Sequence, residues 1–280
     1  MSVLITKADG LSEPFNPSKL IESLTRAGAP LNVAEEVERE ISGELRAGMT
    51  TQELYRRAFA SLRDHRKEVA ARYSLKRAIL EFGPSGFPFE EYLAQLFVAE
   101  GCSALTDQII KGACVEHEVD VVVQKNGTTT YVEAKFHNNA GYKTDLKVAL
   151  YVKARLEDII AHERSRGSKQ VQRGLLVTNT KFTSQARHYA SCAGLELLGW
   201  EEPERMTLRD RIDKVSLYPI TALTSLSHRQ KMALLGQKVV LCKELAGRVE
   251  ALEKAGVSGS RVEEALSEAR ALCASGEGLQ

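Results

Sequence analysis

Asp120, Glu133 and Lys135 are the residues whose types and spacing could act together on a substrate. Two carboxylates brought face to face offer hard oxygen ligands that suit Mg²⁺. An ion held there would polarise a phosphate and lower the pKa of a bound water. A lysine on the same face would hold or deprotonate that water and balance charge growing in the transition state. The chemistry these three residues could perform is hydrolysis of a phosphodiester.

A β-hairpin is the element that must position them. Asn126-Gly127 is the strongest short hairpin signal in the chain. With those two residues as the loop, Lys125 faces Thr128, Val121 faces Val132 and Asp120 faces Glu133. Side chains alternate along each strand, so Val119, Val121, Val123, Val132 and Ala134 are expected on one apolar face. Glu118, Asp120, Glu133 and Lys135 share the other, with Val122 and Tyr131 nearer the turn. Carboxylates directly opposite each other, with Cβ atoms about 5 Å apart, are destabilising, and a divalent cation removes that cost. The same residues admit a plainer reading, a half-exposed hairpin with a solvated polar face on which Lys135 pairs with Glu118.

Around the hairpin the sequence alternates element types. Phe89 to Glu100 reads as a helix, 119–124 and 129–136 as strands, and Leu146 to Ala161 as a helix. Leu175-Leu176-Val177 reads as a buried strand, Ser184 to Ala193 as a helix and Leu195 to Leu198 as another strand. The pattern predicts a small mixed sheet with helices. Gly83-Pro84-Ser85-Gly86-Phe87-Pro88 cannot continue a helix and marks a boundary; Glu201-Glu202-Pro203 marks another. Before the first boundary, Val3-Leu4-Ile5 and Asp9-Gly10 suggest a hairpin. Asn32 with Glu35, and Thr50 with Glu53, suggest capped helices, and a last helix is expected from Arg66 to Phe82. The fold expected is a multidomain α+β and α/β chain: 1–83 helical with a small hairpin, 87–200 α/β, and 203–280 helical with a frayed tail from Ser275.

Val119-Asp120 followed by Glu133-Ala134-Lys135 resembles the PD-(D/E)xK nuclease signature, with Val at the position of the leading Pro. Phe89-Glu90-Glu91 opening a helix, Leu176-Val177-Thr178-Asn179, Phe182-Thr183, Ala186 and Tyr189-Ala190 extend the likeness. Over residues 87–200 the chain resembles Mrr-type restriction endonuclease domains. The resemblance implies that Asp120 and Glu133 ligate a metal, that the Ala134 carbonyl adds an oxygen, and that Lys135 is the catalytic lysine. It implies an additional carboxylate in Glu90, which reads equally as a first-turn residue favoured by the helix dipole.

In the first segment, Val3, Lys7-Ala8-Asp9-Gly10, Glu13-Pro14-Phe15, Lys19-Leu20, Arg26-Ala27-Gly28, Thr50-Thr51 and Arg72-Tyr73 resemble the ATP cone, the nucleotide-sensing domain of ribonucleotide reductases and their repressor. Ala8 departs from it, standing where a basic residue is common. No GxxxxGK[ST] phosphate loop is present, so a nucleotide there needs cations and free backbone N–H groups. Lys7, Lys19 and Arg26 supply the charge, and the helix start at Thr51 supplies N–H groups. The resemblance implies contacts from Lys7, Gly10 and Lys19. A cone that serves only packing or dimerisation is the alternative. Near the C-terminus, Leu234-Leu235-Gly236 before Val239-Val240-Leu241 loosely resembles a helix-hairpin-helix, although a plain helical bundle explains it as well.

Bulk properties set limits without selecting a function. Hydrophobic content of 43% and charged content of 27% are ordinary for a globular protein. A formal charge of +1 gives no overall pull on nucleic acid. Five scattered cysteines without zinc spacing suit reduced thiols. With no apolar run of signal or spanning length, a cytoplasmic protein without a membrane partner is expected. The function expected is a metal-dependent DNA endonuclease using Mg²⁺ or Mn²⁺, regulated by ATP or dATP and acting as a homodimer. The alternative is a nucleotide-responsive DNA-binding regulator that does not cut.

Overall fold

In the computed structural model, which describes residues 3–7, 10–65, 67–167 and 170–274, the chain opens with an antiparallel pair, β1 (Leu4–Thr6) and β2 (Ser12–Pro14). The hairpin expected around Asp9-Gly10 is therefore formed, although Ala8 and Asp9 themselves lie outside the described residues. Helices α1 (Pro17–Arg26), α2 (Leu31–Gly43), α3 (Thr51–His65), α4 (Lys67–Tyr73) and α5 (Leu75–Leu80) follow. Leu24, Val37, Ile41, Leu54, Ala58 and Leu62 close a core of their own.

Two expectations in this segment need correction. Pro30, not Asn32, stands at the start of α2, with no side-chain cap; its ring fixes φ and suits a helix entry. The long helix expected to end at Phe82 is two helices broken at Ser74, whose hydroxyl donates to the Ala71 carbonyl at 2.7 Å; its expected first residue, Arg66, lies outside the described residues. Thr50 does cap α3, accepting the Glu53 N–H at 3.1 Å.

Next come α6 (Phe87–Ala99), β3 (Ser103–Lys111), β4 (Glu116–Lys125), β5 (Thr128–Lys135), β6 (Lys143–Thr144), α7 (Leu146–Ser165), β7 (Val171–Thr178), β8 (Lys181–Phe182), α8 (Ser184–Ala193) and β9 (Glu196–Leu198). The five-stranded sheet runs β3-β4-β5-β7-β9, antiparallel as far as β5 and parallel from β5 to β9. Asn126 and Gly127 take φ of 50° and 73°, as a type I′ turn demands. Lys125 pairs with Thr128 and Val121 with Val132, the register expected. Sequence reading misses β3, an edge strand on which no side chain is fully buried.

Both faces of the sheet are covered. Phe89, Leu93 and Phe97 of α6 pack with Val121, Val123, Val132 and Leu175 on one face. On the other, α7 and α8 bring Val152 and Ala186 against Leu176, and Ile159 against Val119 and Val122. At Gly174 of β7 a Cβ would stand 2.5 Å from Leu156 Cδ2 of α7 and 3.1 Å from Leu195 Cδ1. Gly174→Ala is expected to destabilise the protein by about 1–3 kcal/mol through overpacking, read as a lower denaturant midpoint at unchanged m-value.

The remaining helices, α9 (Leu208–Lys214), α10 (His228–Gly236), α11 (Val249–Lys254) and α12 (Ser260–Cys273), share the α6 core through Leu208, Leu234, Leu252 and Leu272. The buried Tyr92 hydroxyl donates to the Leu217 carbonyl at 2.7 Å, and Arg211 pairs with Glu100. The helix-hairpin-helix likeness is not realised. Gly236 ends α10, the left-handed residue is Lys238 (φ 57°), and a 3-10 turn over Cys242–Gly247 follows. The expected frayed tail from Ser275 lies outside the described residues. Among the described residues no helix is long and apolar enough to cross a membrane.

Candidate active site

Asp120 stands at a break in two ladders. On one side, β4 pairs with β5 only as far as Val121–Val132. On the other, its register with β3 runs from Thr106–Val121 to Gln108–Val119 and skips the position between. That position is Asp107, whose φ of 53° is left-handed. The expected pairing of Asp120 with Glu133 is therefore not a regular ladder step. Instead Asp120 Oδ2 accepts the Ala134 N–H at 2.7 Å. A strand residue's N–H and C=O leave on the same edge, so the Ala134 carbonyl also lies toward Asp120. The break also corrects the expected faces: Val119 packs with Val122 and Ile159, not with Val121.

Beyond the split, β5 continues beside β7 as far as Lys135–Thr178, so the site lies at the carboxyl end of parallel strands, where open α/β sheets place ligands. The chain leaving β5 is fixed by buried Asn179, which accepts the His137 N–H at 2.8 Å and donates to the His137 carbonyl at 2.7 Å. Glu133 is held by Arg155 of α7, whose guanidinium also bonds the Tyr151 hydroxyl and lies 4.5 Å from that ring's centroid. In the sequence Arg155 follows Lys143, Lys147 and Lys153, and nothing there marks it as the one that turns inward. Lys135 is exposed at the end of β5 and makes no ion pair among the described residues, so the plainer Lys135–Glu118 pairing is not formed.

The electrostatics are those of crowded carboxylates. Burial raises the pKa of Asp120; Glu118 and Asp107 add to the rise, while the Ala134 N–H and Arg155 oppose it. Burial and then Asp120 raise Glu133, against Arg155 and Lys135. Glu90, from the first turn of α6, is pushed up to about 7 by burial, then by Asp120, Asp107, Glu118 and Glu133. Glu90 and Asp107, the latter missed by sequence reading, thus lie within the field of these carboxylates.

The sign of the resulting pH dependence follows. Between about 4.5 and 7 the folded state keeps a proton on Glu90 that the unfolded chain has lost, so stability falls as pH rises through that window. Thermal melts in chelator should give a lower Tm at pH 8 than at pH 5.5, and Glu90→Gln should flatten that difference. An unchanged slope in the variant would remove Glu90 from the cluster.

This donor set fits a divalent cation. Asp120, Glu133 and the Ala134 carbonyl are hard oxygen donors, and their mutual repulsion is what a cation relieves. Among the described residues no three His, Cys, Asp or Glu side chains are arranged to hold an ion. An Mg²⁺ site of one or two carboxylates with water completing the shell needs no such cage.

Other candidates lie elsewhere. His117 meets Asp158 at 2.8 Å, and Asp158 also accepts the Cys114 and Val115 N–H groups, fastening the β3–β4 turn to α7. His137 Nε2 lies 3.1 Å from the Thr144 hydroxyl, and Gln185 is exposed on α8. Lys7 and Thr51 line a cavity of about 820 Å³ beside the loop 138–141; Gly10, Lys19 and Arg26 do not line it. Lys19 and Arg26 are exposed on α1, and Gly10 is exposed at the first hairpin.

Comparison with known proteins adds an outside view of this geometry. Residues 3–81 match the ATP cone domain, residues 84–203 the Mrr-type catalytic family described as restriction endonuclease, and residues 218–273 the family described as AF1548-like, C-terminal. An uncharacterised protein of Archaeoglobus fulgidus is 36% identical over 180 residues, covering 64% of this chain and 98% of that protein. The crystal structure of a protein of unknown function, AF1548, superposes with a TM-score of 0.56 at 31% identity, over 68% of this chain and 100% of that one.

Proposed function

Because this chain belongs to the AF1548-like family and joins an ATP cone to an Mrr-type restriction endonuclease-like domain, we propose that it is a metal-dependent DNA endonuclease regulated by ATP or dATP. The observation that supports this reading is the split between β4 and β5, at which Asp120 accepts the N–H of Ala134, the residue that lies between Glu133 and Lys135 in the chain. Binding alone has no need of two neighbouring, partly buried carboxylates whose pKa values are raised chiefly by burial.

In the proposed mechanism Asp120, Glu133 and the Ala134 carbonyl would hold Mg²⁺ or Mn²⁺. When bound, the ion polarises the scissile phosphate and makes its bound water more acidic. Lys135 would position the attacking water and either take its proton, as a neutral amine, or, as an ammonium, offset charge on the phosphate oxygens. Glu90 is an additional carboxylate at the site. Arg155 neutralises Glu133 in the free protein and keeps its carboxylate oriented. Each domain presents one such site and duplex cleavage needs two nicks, so the working form is a homodimer.

Supercoiled plasmid is the substrate for the test. Nicked and linear forms should appear with Mg²⁺ or Mn²⁺ and not in chelator, at a rate altered by ATP or dATP. DNA binding that is equal in chelator and metal, with no cleavage, would instead identify a non-cutting regulator.

A further inference from the structure

The cavity lined by Lys7 and Thr51 is not closed by the cone alone. The loop 138–141, Lys143 and Lys181 also line it, as do Lys76 and Glu201. Lys143 and Lys181 are register partners in the parallel β6–β8 pair, and like charges side by side in a sheet repel. Lys181 reaches Glu201 at 2.8 Å and Lys76 reaches the same carboxylate at 4.0 Å, while Lys143 makes no ion pair among the described residues. Lys76, Lys143 and Lys181 therefore line, together with Arg77 and the carboxylates Glu81 and Glu201, a cavity whose size falls within the usual ligand-pocket range of about 300–1,000 Å³. Burial lowers the pKa of Lys76; Glu201 opposes the shift, and Lys181 and Arg209 add to it.

We propose that a nucleoside triphosphate binds in this cavity as a bridge, with Lys7 and the start of α3 on the cone side and Lys76, Lys143 and Lys181 holding its polyphosphate from the other. The inference rests on the reading of the cone as a nucleotide sensor and extends it, since Lys143 and Lys181 belong to the restriction endonuclease-like domain. A polyphosphate offers the several adjacent anionic oxygens that separate lysines can share. The bridge also gives nucleotide a physical route to the cutting site. The loop it would touch begins just after His137, two residues beyond Lys135, and leads through Lys143 into α7, which carries Arg155.

The test is ATP binding to the full chain in chelator without DNA, by calorimetry, so that its outcome does not depend on cleavage. The double variant Lys143→Ala/Lys181→Ala should bind ATP at least about tenfold more weakly, because charge-assisted contacts are lost. Inorganic triphosphate should compete with ATP on the wild-type protein. Lys143 is exposed and Lys181 half-exposed, so the variant should melt as the wild type does; the single variant Lys143→Gln, expected to weaken ATP severalfold, serves if it does not. Unchanged ATP affinity in these variants overturns the proposal, as does a wild-type protein that binds no ATP. Variants that keep ATP affinity and lose affinity for duplex DNA would assign the lysines to the DNA path and overturn it too. Absence of DNA cleavage, by contrast, would count against the nuclease reading and leave this site standing.

Discussion

Asp120→Asn should reduce DNA cleavage by about 10³-fold or more, since a metal site supplies several kcal/mol of transition-state stabilisation and each 1.36 kcal/mol is a factor of ten. The substitution is chosen to keep the structure. An amide oxygen can still accept the Ala134 N–H that Asp120 Oδ2 takes at 2.7 Å, so the split between the strands is preserved. What changes is the charge. Asp120 has a raised pKa in the folded chain, with burial as the main cause, so its ionised form is disfavoured there. Removing that charge should leave the metal-free protein at pH 8 as stable as the wild type or more so. Lost activity with no loss of Tm marks a group kept for chemistry. A purely structural Asp120 predicts the reverse, lower Tm with activity in proportion to the folded fraction.

Lys135→Met is expected to slow cleavage by about 10²–10⁴-fold, the range for a positioned proton-transfer group, with Tm and DNA affinity nearly unchanged. Lys135 sits exposed at the end of β5 and makes no ion pair among the described residues, so little packing is lost. Lys135→Arg separates its two roles. Arginine keeps the charge but cannot release its proton near neutral pH. Recovery of most activity by arginine would assign Lys135 to charge balance alone; little recovery would assign it to proton transfer. Full activity in Lys135→Met would remove it from the mechanism.

Much of the site is legible in the sequence because one local signal fixes it. Asn126-Gly127 admits a two-residue turn, and the turn sets the register from Lys125–Thr128 to Val121–Val132. Legibility ends at Asp120. The alternation rule assumes an unbroken strand, and the left-handed Asp107 on β3 breaks it. This break sends Val119 to the other face and replaces a ladder step by the Asp120–Ala134 bond. Strand β3 escapes notice because an edge strand with no fully buried side chain leaves no apolar pattern to read.

Arg155 escapes for a different reason. On α7 it sits among other cations, and only the crossover from β5 to β7 brings it onto Glu133. Asn179 likewise acts on His137 from the far end of that crossover. In the first segment the pattern from Val3 to Tyr73, which includes Lys7 and Thr51, resembles a cone and is matched as one. Lys143 and Lys181, which line the same cavity, lie in another part of the chain and reach it only through packing.

The most direct measurement of the central claim is a Mn²⁺ titration of the full chain followed by calorimetry, on the wild type, Asp120→Asn and Glu133→Gln, alongside plasmid cleavage at the same Mn²⁺ concentrations. The account predicts saturable binding by the wild type, cleavage that rises along the same curve, and affinity at least about tenfold weaker in each variant, the effect of losing a charged ligand. Equal Mn²⁺ affinity in all three proteins, or cleavage that persists in chelator, would contradict it.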